Sequence, residues 1–256
     1  MSLSKILIPA LVCVPLIFGG CATEKEIAKS ELSYTKILKQ VHQNQEYLSN
    51  NIKNESHLQD KEFLEEEINK LHESSEHVYT KLDTIKTIYK VPELSLSQLQ
   101  KIYLMYNHLK DSSFCREIGK IIEDDVLDIY SEHGGIIKLN RNSLYFKTFE
   151  SNVLKKDTLN NTSYNTPNEA ILSLNIAFFH LHATKYNKIK SAGPSNGDWG
   201  TAFFWTHLYE EYDEFLITPI KKGKFNIDYY GGDMVMNPIP KVFDLGNFSY
   251  DTIKVE

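Results

Sequence analysis

His180-Leu181-His182 is followed, after twelve intervening residues, by Ser195-Asn196-Gly197-Asp198. Side chains alternate across a strand with period two, so two histidines at i and i+2 point to the same face. An aspartate arriving from a following turn closes a third side. Two imidazole nitrogens, one carboxylate oxygen and an open fourth position form a catalytic rather than a structural zinc arrangement. A two-His, one-Asp donor set also suits zinc better than calcium or magnesium. Ser195 adds a hydroxyl where a polarised oxygen needs a donor. Taken singly the pieces say less: His-x-His is common and usually structural, and Ser-x-x-Asp is an ordinary helix cap favoured by the helix dipole.

The elements that must carry these residues can be read from the flanking sequence. Residues 176–182 form a nearly continuous apolar strand ending in the histidines. Residues 185–193 read as a loop, and Ser195 is placed to cap a helix from Asn196 to about Tyr212. Two strands, 215–219 and 224–230, follow, joined by Lys221-Lys222-Gly223. Upstream, 135–139 and 144–149 read as a hairpin around Asn140–Ser143. Residues 152–165 are polar and loop-like, and a short helix is expected after Thr166, with Pro167 suited to its first position. Helices are expected from Ser97, with Gln100 completing a capping box, and over 114–130, with Ile118, Ile121, Ile122, Leu127 and Ile129 or Tyr130 inward. Strands and helices are mixed, so this half is α+β or α/β.

The preceding region differs. From Glu24 to about Lys90 there is no Gly and no Pro. Tyr34, Leu38, Val41, Gln45, Leu48 and Ile52 step by three and four, as do Leu64, Ile68, Leu71, Ser75, Val78, Leu82, Ile85 and Tyr89. Such a narrow stripe is the spacing of a helical hairpin or coiled coil. It is expected to form a stalk that packs on itself or meets a partner protein. Val91-Pro92 marks its end, giving an organisation of 1–20, 21–92 and 93–256.

The N-terminus reads as a targeting signal. Lys5 precedes thirteen residues, 6–18, that include Pro9 and Pro15. That run is too short for a bilayer-spanning helix, which needs about 20 apolar residues, and has the size of a secretory h-region. Phe18-Gly19-Gly20-Cys21 resembles a bacterial lipobox, which implies lipidation at Cys21. Ala22 after it, rather than Asp, resembles the default for outer-membrane sorting. Of three cysteines only Cys115 then stays free, so no disulfide supports the mature chain, and its helical surroundings mark it as a small buried hydrophobe. Loss of 1–20 removes Lys5 and no acid, leaving 27 basic against 34 acidic residues, a charge of −7. Nothing there favours nucleic acid as a partner.

The order of the motifs resembles the JAMM (MPN+) metalloprotease superfamily, in which a Glu near an early strand precedes His-x-His at a strand end and Ser-x-x-Asp at a helix start. Pro194 and Trp199, flanking the last motif, are also similar to bacterial members. Ser131-Glu132-His133-Gly134-Gly135-Ile136-Ile137 resembles the family's start, and the likeness covers about residues 114–235. The gap after His182 is longer than usual for the family, and Ala183 stands where Pro often follows the second His. The resemblance implies one zinc held by His180, His182, Asp198 and a water. It makes Glu132 the general acid–base and Ser195 the donor to a developing oxyanion, for hydrolysis of an amide or isopeptide bond. Glu150 and Glu169 are alternative bases. His207 is expected to be a surface or packed residue, and His133 to face away from Glu132's side. The other readings are a non-catalytic binding lipoprotein of the same fold, and a structural lipoprotein whose stalk carries the function.

Overall fold

The computed structural model describes residues 39–40, 42–44, 46–52, 55–77, 90–127, 133–140, 143–149, 174–182, 193–209, 212–236 and 241–251. The expectations for 1–20, Cys21, Glu132, Glu150, the 152–165 loop and the helix after Thr166 lie outside them. Most of the loop after His182 and the second stripe's Val78, Leu82, Ile85 and Tyr89 do too.

The chain has mixed α+β content built on one six-stranded sheet. Its strands are β1 (Gly134–Asn140), β2 (Ser143–Phe149), β3 (Ala177–Leu181), β4 (Asp213–Lys221), β5 (Lys224–Gly231) and β6 (Phe243–Ser249), in the order β2-β1-β3-β4-β5-β6. Every pairing is antiparallel except β3 with β4. A parallel pair needs a crossover, and the helix α4 (Asn196–Tyr209) lies between these two strands in the chain. Before the sheet come α1 (Lys61–Ser74), α2 (Leu96–Leu109) and α3 (Ser112–Leu127), and α5 (Asp233–Met236) lies between β5 and β6.

Alternation along the strands gives the sheet two apolar faces. Phe179, Phe215, Ile217, Phe225, Ile227 and Tyr229 join the larger core with Leu99, Ile102 and Met105 of α2 and Ile118 and Ile122 of α3. Phe178, Leu216 and Tyr230 face the other way, against Ala202 and Trp199 of α4 and Val235 of α5. Both faces of the strands between them are therefore covered, which is why β4 reads as an unbroken buried run. Cys115 is buried and free, as its surroundings imply.

Within the segment expected as a stalk, residues 46–52 are helical, and Leu48, Ile52, Leu58, Leu64 and Ile68 are buried in the same larger core as α2 and α3. The stripe's buried side thus packs onto the sheet-bearing part of the chain. Ser75, on the stripe, turns its hydroxyl back to the Leu71 carbonyl (2.8 Å).

Several local expectations shift. The capping box of α2 is Ser95 with Gln98, not Ser97 with Gln100. Gln100 instead donates from Nε2 to the Leu58 carbonyl (2.8 Å), tying α2 to the preceding segment. Leu127 is 81% exposed rather than inward, because α3 ends there and its buried stripe stops at Ile122 and Asp125. The strand β6 has no counterpart in the sequence reading. Its Asp244, Gly246 and Asn247 are poor strand formers, and the pairing with β5 slips between Ile227 and Asp228, where Gly246 takes φ +104°.

Candidate metal centre

The strand β3 carries His180 near its end and stops one residue before His182. His180 pairs with Gly134 of β1 on one side and Leu216 of β4 on the other. The His182 N–H donates to the Ile217 carbonyl (3.0 Å), which extends the ladder past the last strand residue and fixes that side chain on the same face as His180.

Asp198 comes from the first turn of α4. Its backbone N–H donates to Ser195 Oγ (3.3 Å), and the Ser195 N–H donates to Asp198 Oδ2 (2.5 Å). This reciprocal cap closes the helix start with Ser195 as the N-cap. Ser195 is exposed, and accepting from Asp198 does not consume its own O–H hydrogen. The positive end of α4 favours the Asp198 carboxylate.

These elements bring three donors to one point. His180 Nε2 lies 3.2 Å from His182 Nε2 and 3.4 Å from Asp198 Oδ1. His182 Nε2 lies 3.1 Å from Asp198 Oδ2. With metal–nitrogen and metal–oxygen bonds of about 2.0–2.2 Å, the edge of a tetrahedron of ligands is about 3.3–3.5 Å. The two imidazole nitrogens are about one such edge apart, and each lies within 3.1–3.4 Å of a different oxygen of the Asp198 carboxylate, so the donor set suits a dication. Among the described residues this is the group of His, Cys and acidic side chains whose ligand atoms could hold a metal ion. His180 is buried, whereas His182 and Asp198 keep some exposure, so the open side of the cluster faces outward past them.

Behind His180 stands a residue that sequence reasoning missed. Glu214 of β4 is buried, and its Oε1 accepts from His180 Nδ1 (2.6 Å). Its Oε2 accepts from the hydroxyls of Tyr212 and Tyr230, each at 2.7 Å. The signal lies in the sequence as an acid inside an apolar run, Phe215–Ile220 following Asp213-Glu214, but nothing local says which partner it serves.

The electrostatics are those of a tightly paired cluster. Burial works against a charged His180, but Glu214 and Asp198 outweigh it and hold the imidazole well above its ordinary range. Burial likewise opposes ionisation of Asp198, yet the two histidines hold its carboxyl far below the usual carboxylate range. Burial, with Glu214 beside it, pushes the Tyr230 phenol well up, so it remains a hydrogen-bond donor.

Of the residues singled out by sequence, His180, His182, Asp198 and Ser195 converge. Glu132 lies outside the described residues. Its neighbour His133 is described: the His133 carbonyl accepts from Leu181 N–H (2.9 Å), and its N–H donates to buried Asp125. His207 falls on α4, nine residues beyond Asp198. No helix among the described residues is long and apolar enough to cross a membrane. No family model, curated protein or solved structure matches this chain.

Proposed function

We propose that this chain is a membrane-anchored, zinc-dependent peptidase or isopeptidase of JAMM-like fold. One observation carries the reading: two imidazole nitrogens 3.2 Å apart at a strand end each stand 3.1–3.4 Å from an oxygen of one carboxylate delivered by a helix start, the donor set of a zinc site. The residues that would hold zinc are His180, His182 and Asp198. A zinc ion with such ligands lowers the pKa of a bound water to near neutrality and polarises a carbonyl oxygen.

The chain's own groups divide the remaining work. Ser195, exposed at the helix start with its hydroxyl hydrogen uncommitted to Asp198, donates to the substrate carbonyl oxygen as negative charge develops there. A donor of this kind lowers a barrier by about 3 kcal/mol. Glu132 takes a proton during attack and returns it to the leaving amine. His182 and Asp198 flank the open side, so substrate reaches the centre past them. The lipobox-like segment ending at Cys21 supports a lipid anchor in the bacterial outer membrane, facing the periplasm.

The test is the metal content of the purified full chain beside that of a His180→Ala, His182→Ala double variant. About one zinc per wild-type chain, absent from a folded double variant, supports the site. Peptide and isopeptide substrates, with Glu132→Gln as control, then separate hydrolysis from metal-dependent binding. A wild-type chain that takes up no zinc rejects the hydrolase reading.

A further inference from the structure

His180 and Glu214 raise a question that the ligand set alone does not answer, namely what makes the buried imidazole present the correct nitrogen. A neutral imidazole has one N–H and one lone pair, and only the lone pair binds a metal. A carboxylate accepts and cannot donate. With Glu214 Oε1 at 2.6 Å from His180 Nδ1, the hydrogen of the neutral ring is fixed on Nδ1. The lone pair is left on Nε2, the nitrogen that faces His182 and Asp198.

Glu214 is itself held. Tyr212 and Tyr230 both donate to its Oε2, so the carboxylate receives three hydrogen bonds and has little freedom to rotate away from the imidazole. All three side chains are buried. Tyr230 packs edge-on against Trp199, next to Asp198 in the chain (ring centroids 5.2 Å), and Tyr212 stacks on Phe178 (5.1 Å). The frame that orients Glu214 is thus packed on the same two elements, α4 and β3, that deliver the ligands. The three donors also engage both oxygens of Glu214, which leaves it poorly placed to exchange protons with substrate. Glu214 and Asp198 thus place one carboxylate on each side of the His180 ring, at Nδ1 and Nε2.

We infer that Glu214, locked by Tyr212 and Tyr230, is a positioning residue that fixes the metal-binding tautomer of His180 and sets the affinity of the centre for a divalent metal. This rests on the zinc reading above. Outer partners of this kind are typically worth about 10–100-fold in metal affinity.

The experiment titrates cobalt(II) into the metal-free full chain, following its visible absorption against a competing chelator, for the wild type, Glu214→Gln and Tyr230→Phe. The expected result is a Kd about 10–100-fold weaker for Glu214→Gln, with an altered cobalt spectrum. Tyr230→Phe, which keeps the carboxylate and removes one of its locks, is expected to weaken binding by about 3–10-fold. Long-range proton–nitrogen NMR adds a readout free of activity: a hydrogen-bonded proton on His180 Nδ1 in the wild type, displaced in Glu214→Gln. A folded Glu214→Gln with unchanged Kd and spectrum overturns the role of Glu214 while leaving the metal centre standing. So does a bare Nδ1 on His180 in the wild type. If Glu214→Gln does not fold, an unchanged Kd in Tyr230→Phe overturns the lock. Wild-type chain that takes up no cobalt overturns the zinc reading itself.

Discussion

Among the described residues, two histidines meet a buried acid through Nδ1, and the two pairs end differently. His180 meets Glu214 through Nδ1 at 2.6 Å, and its Nε2 faces His182 and Asp198. His77 meets Asp244 of β6 through Nδ1 at 3.0 Å, but its Nε2 lies 2.7 Å from the His72 carbonyl. A carbonyl oxygen only accepts, and so does a carboxylate. His77 therefore donates from both nitrogens, which only the charged imidazolium can do. Its Nε2 is taken by a main-chain carbonyl rather than facing further metal-ligand side chains. Asp244 is filled as well, since its other oxygen accepts from Asn226 Nδ2 and the Gly246 N–H, both at 2.8 Å. Sharing a buried carboxylate does not make a histidine part of a metal centre. What the far nitrogen meets decides that, and the His77 pair is a clamp holding the segment after α1 against the edge strand.

The sharpest way to break the comparison is to remove each histidine. His180→Ala is expected to abolish metal binding and any hydrolase activity together. His77→Ala is expected to leave the metal content of the full chain unchanged and to lower only its stability, by about 1–3 kcal/mol, through loss of a buried partner. Metal analysis beside urea denaturation reads both. Metal lost from a folded His77→Ala chain would show that the two pairs are one unit.

A third buried acid separates fold stability from the centre. Asp213 precedes Glu214 on β4 but points to the larger core, where it accepts from Lys101 of α2 and from the Tyr229 hydroxyl. Asp213→Asn removes the carboxylate that the buried Lys101 ammonium donates to, a change expected to cost about 3–5 kcal/mol. If neighbouring residues on opposite faces do separate jobs, the surviving folded chain still binds metal with wild-type affinity. The denaturation midpoint and the cobalt titration, measured on the same sample, test that separation. A loss of affinity as large as that of Glu214→Gln would merge the two roles.

A smaller effect is expected on the clamp's acid side. Asp244→Asn removes the charge facing His77 and keeps the amide shape, with a cost of about 1–3 kcal/mol in stability. Cobalt affinity should not move. A fall in affinity would mean that β6 transmits its position to the ligands through β5 and β4.

The contrast between the two pairs also explains what was legible in the sequence. His180, His182, Ser195 and Asp198 could be found because each depends on a short-range rule: period two along a strand, and a reciprocal cap at a helix start. Glu214 could not, because its partner is 34 residues away on a neighbouring strand. Nothing in Asp213-Glu214 marks one acid for the core and the other for a histidine. The His77–Asp244 pair spans 167 residues and was equally invisible. Helical stripes were legible as stripes, with Leu48, Ile52, Leu64 and Ile68 buried, whereas the surface that covers them is set by α2 and the sheet. Strand β6 escaped notice because the residues that pay for its weak propensity, Asn226 and His77, bond to Asp244 from elsewhere in the fold.

The mildest expected effect is a pH dependence, and it follows from the clamp alone. The hydrogen bond to Asp244 raises the His77 pKa above its ordinary value against the opposing effect of burial. His72 stacks on His77 (centroids 4.1 Å) and is shifted the other way, by burial first and by the His77 charge second. For a group whose folded pKa is raised, the folded state keeps a proton that the unfolded chain releases. The stability from His77 is therefore complete below its unfolded pKa of about 6.5 and fades as pH rises through the higher folded value. His72 has the opposite sign, because its lowered pKa costs stability as pH falls through about 6.5. Comparing wild type with His77→Gln isolates the first contribution. The difference in denaturation midpoint should be largest at mildly acid pH and shrink as the solution is made alkaline. A difference that stays constant across that range would mean that His77 packs as a neutral ring, and the two histidine–carboxylate pairs would then differ only in where they stand.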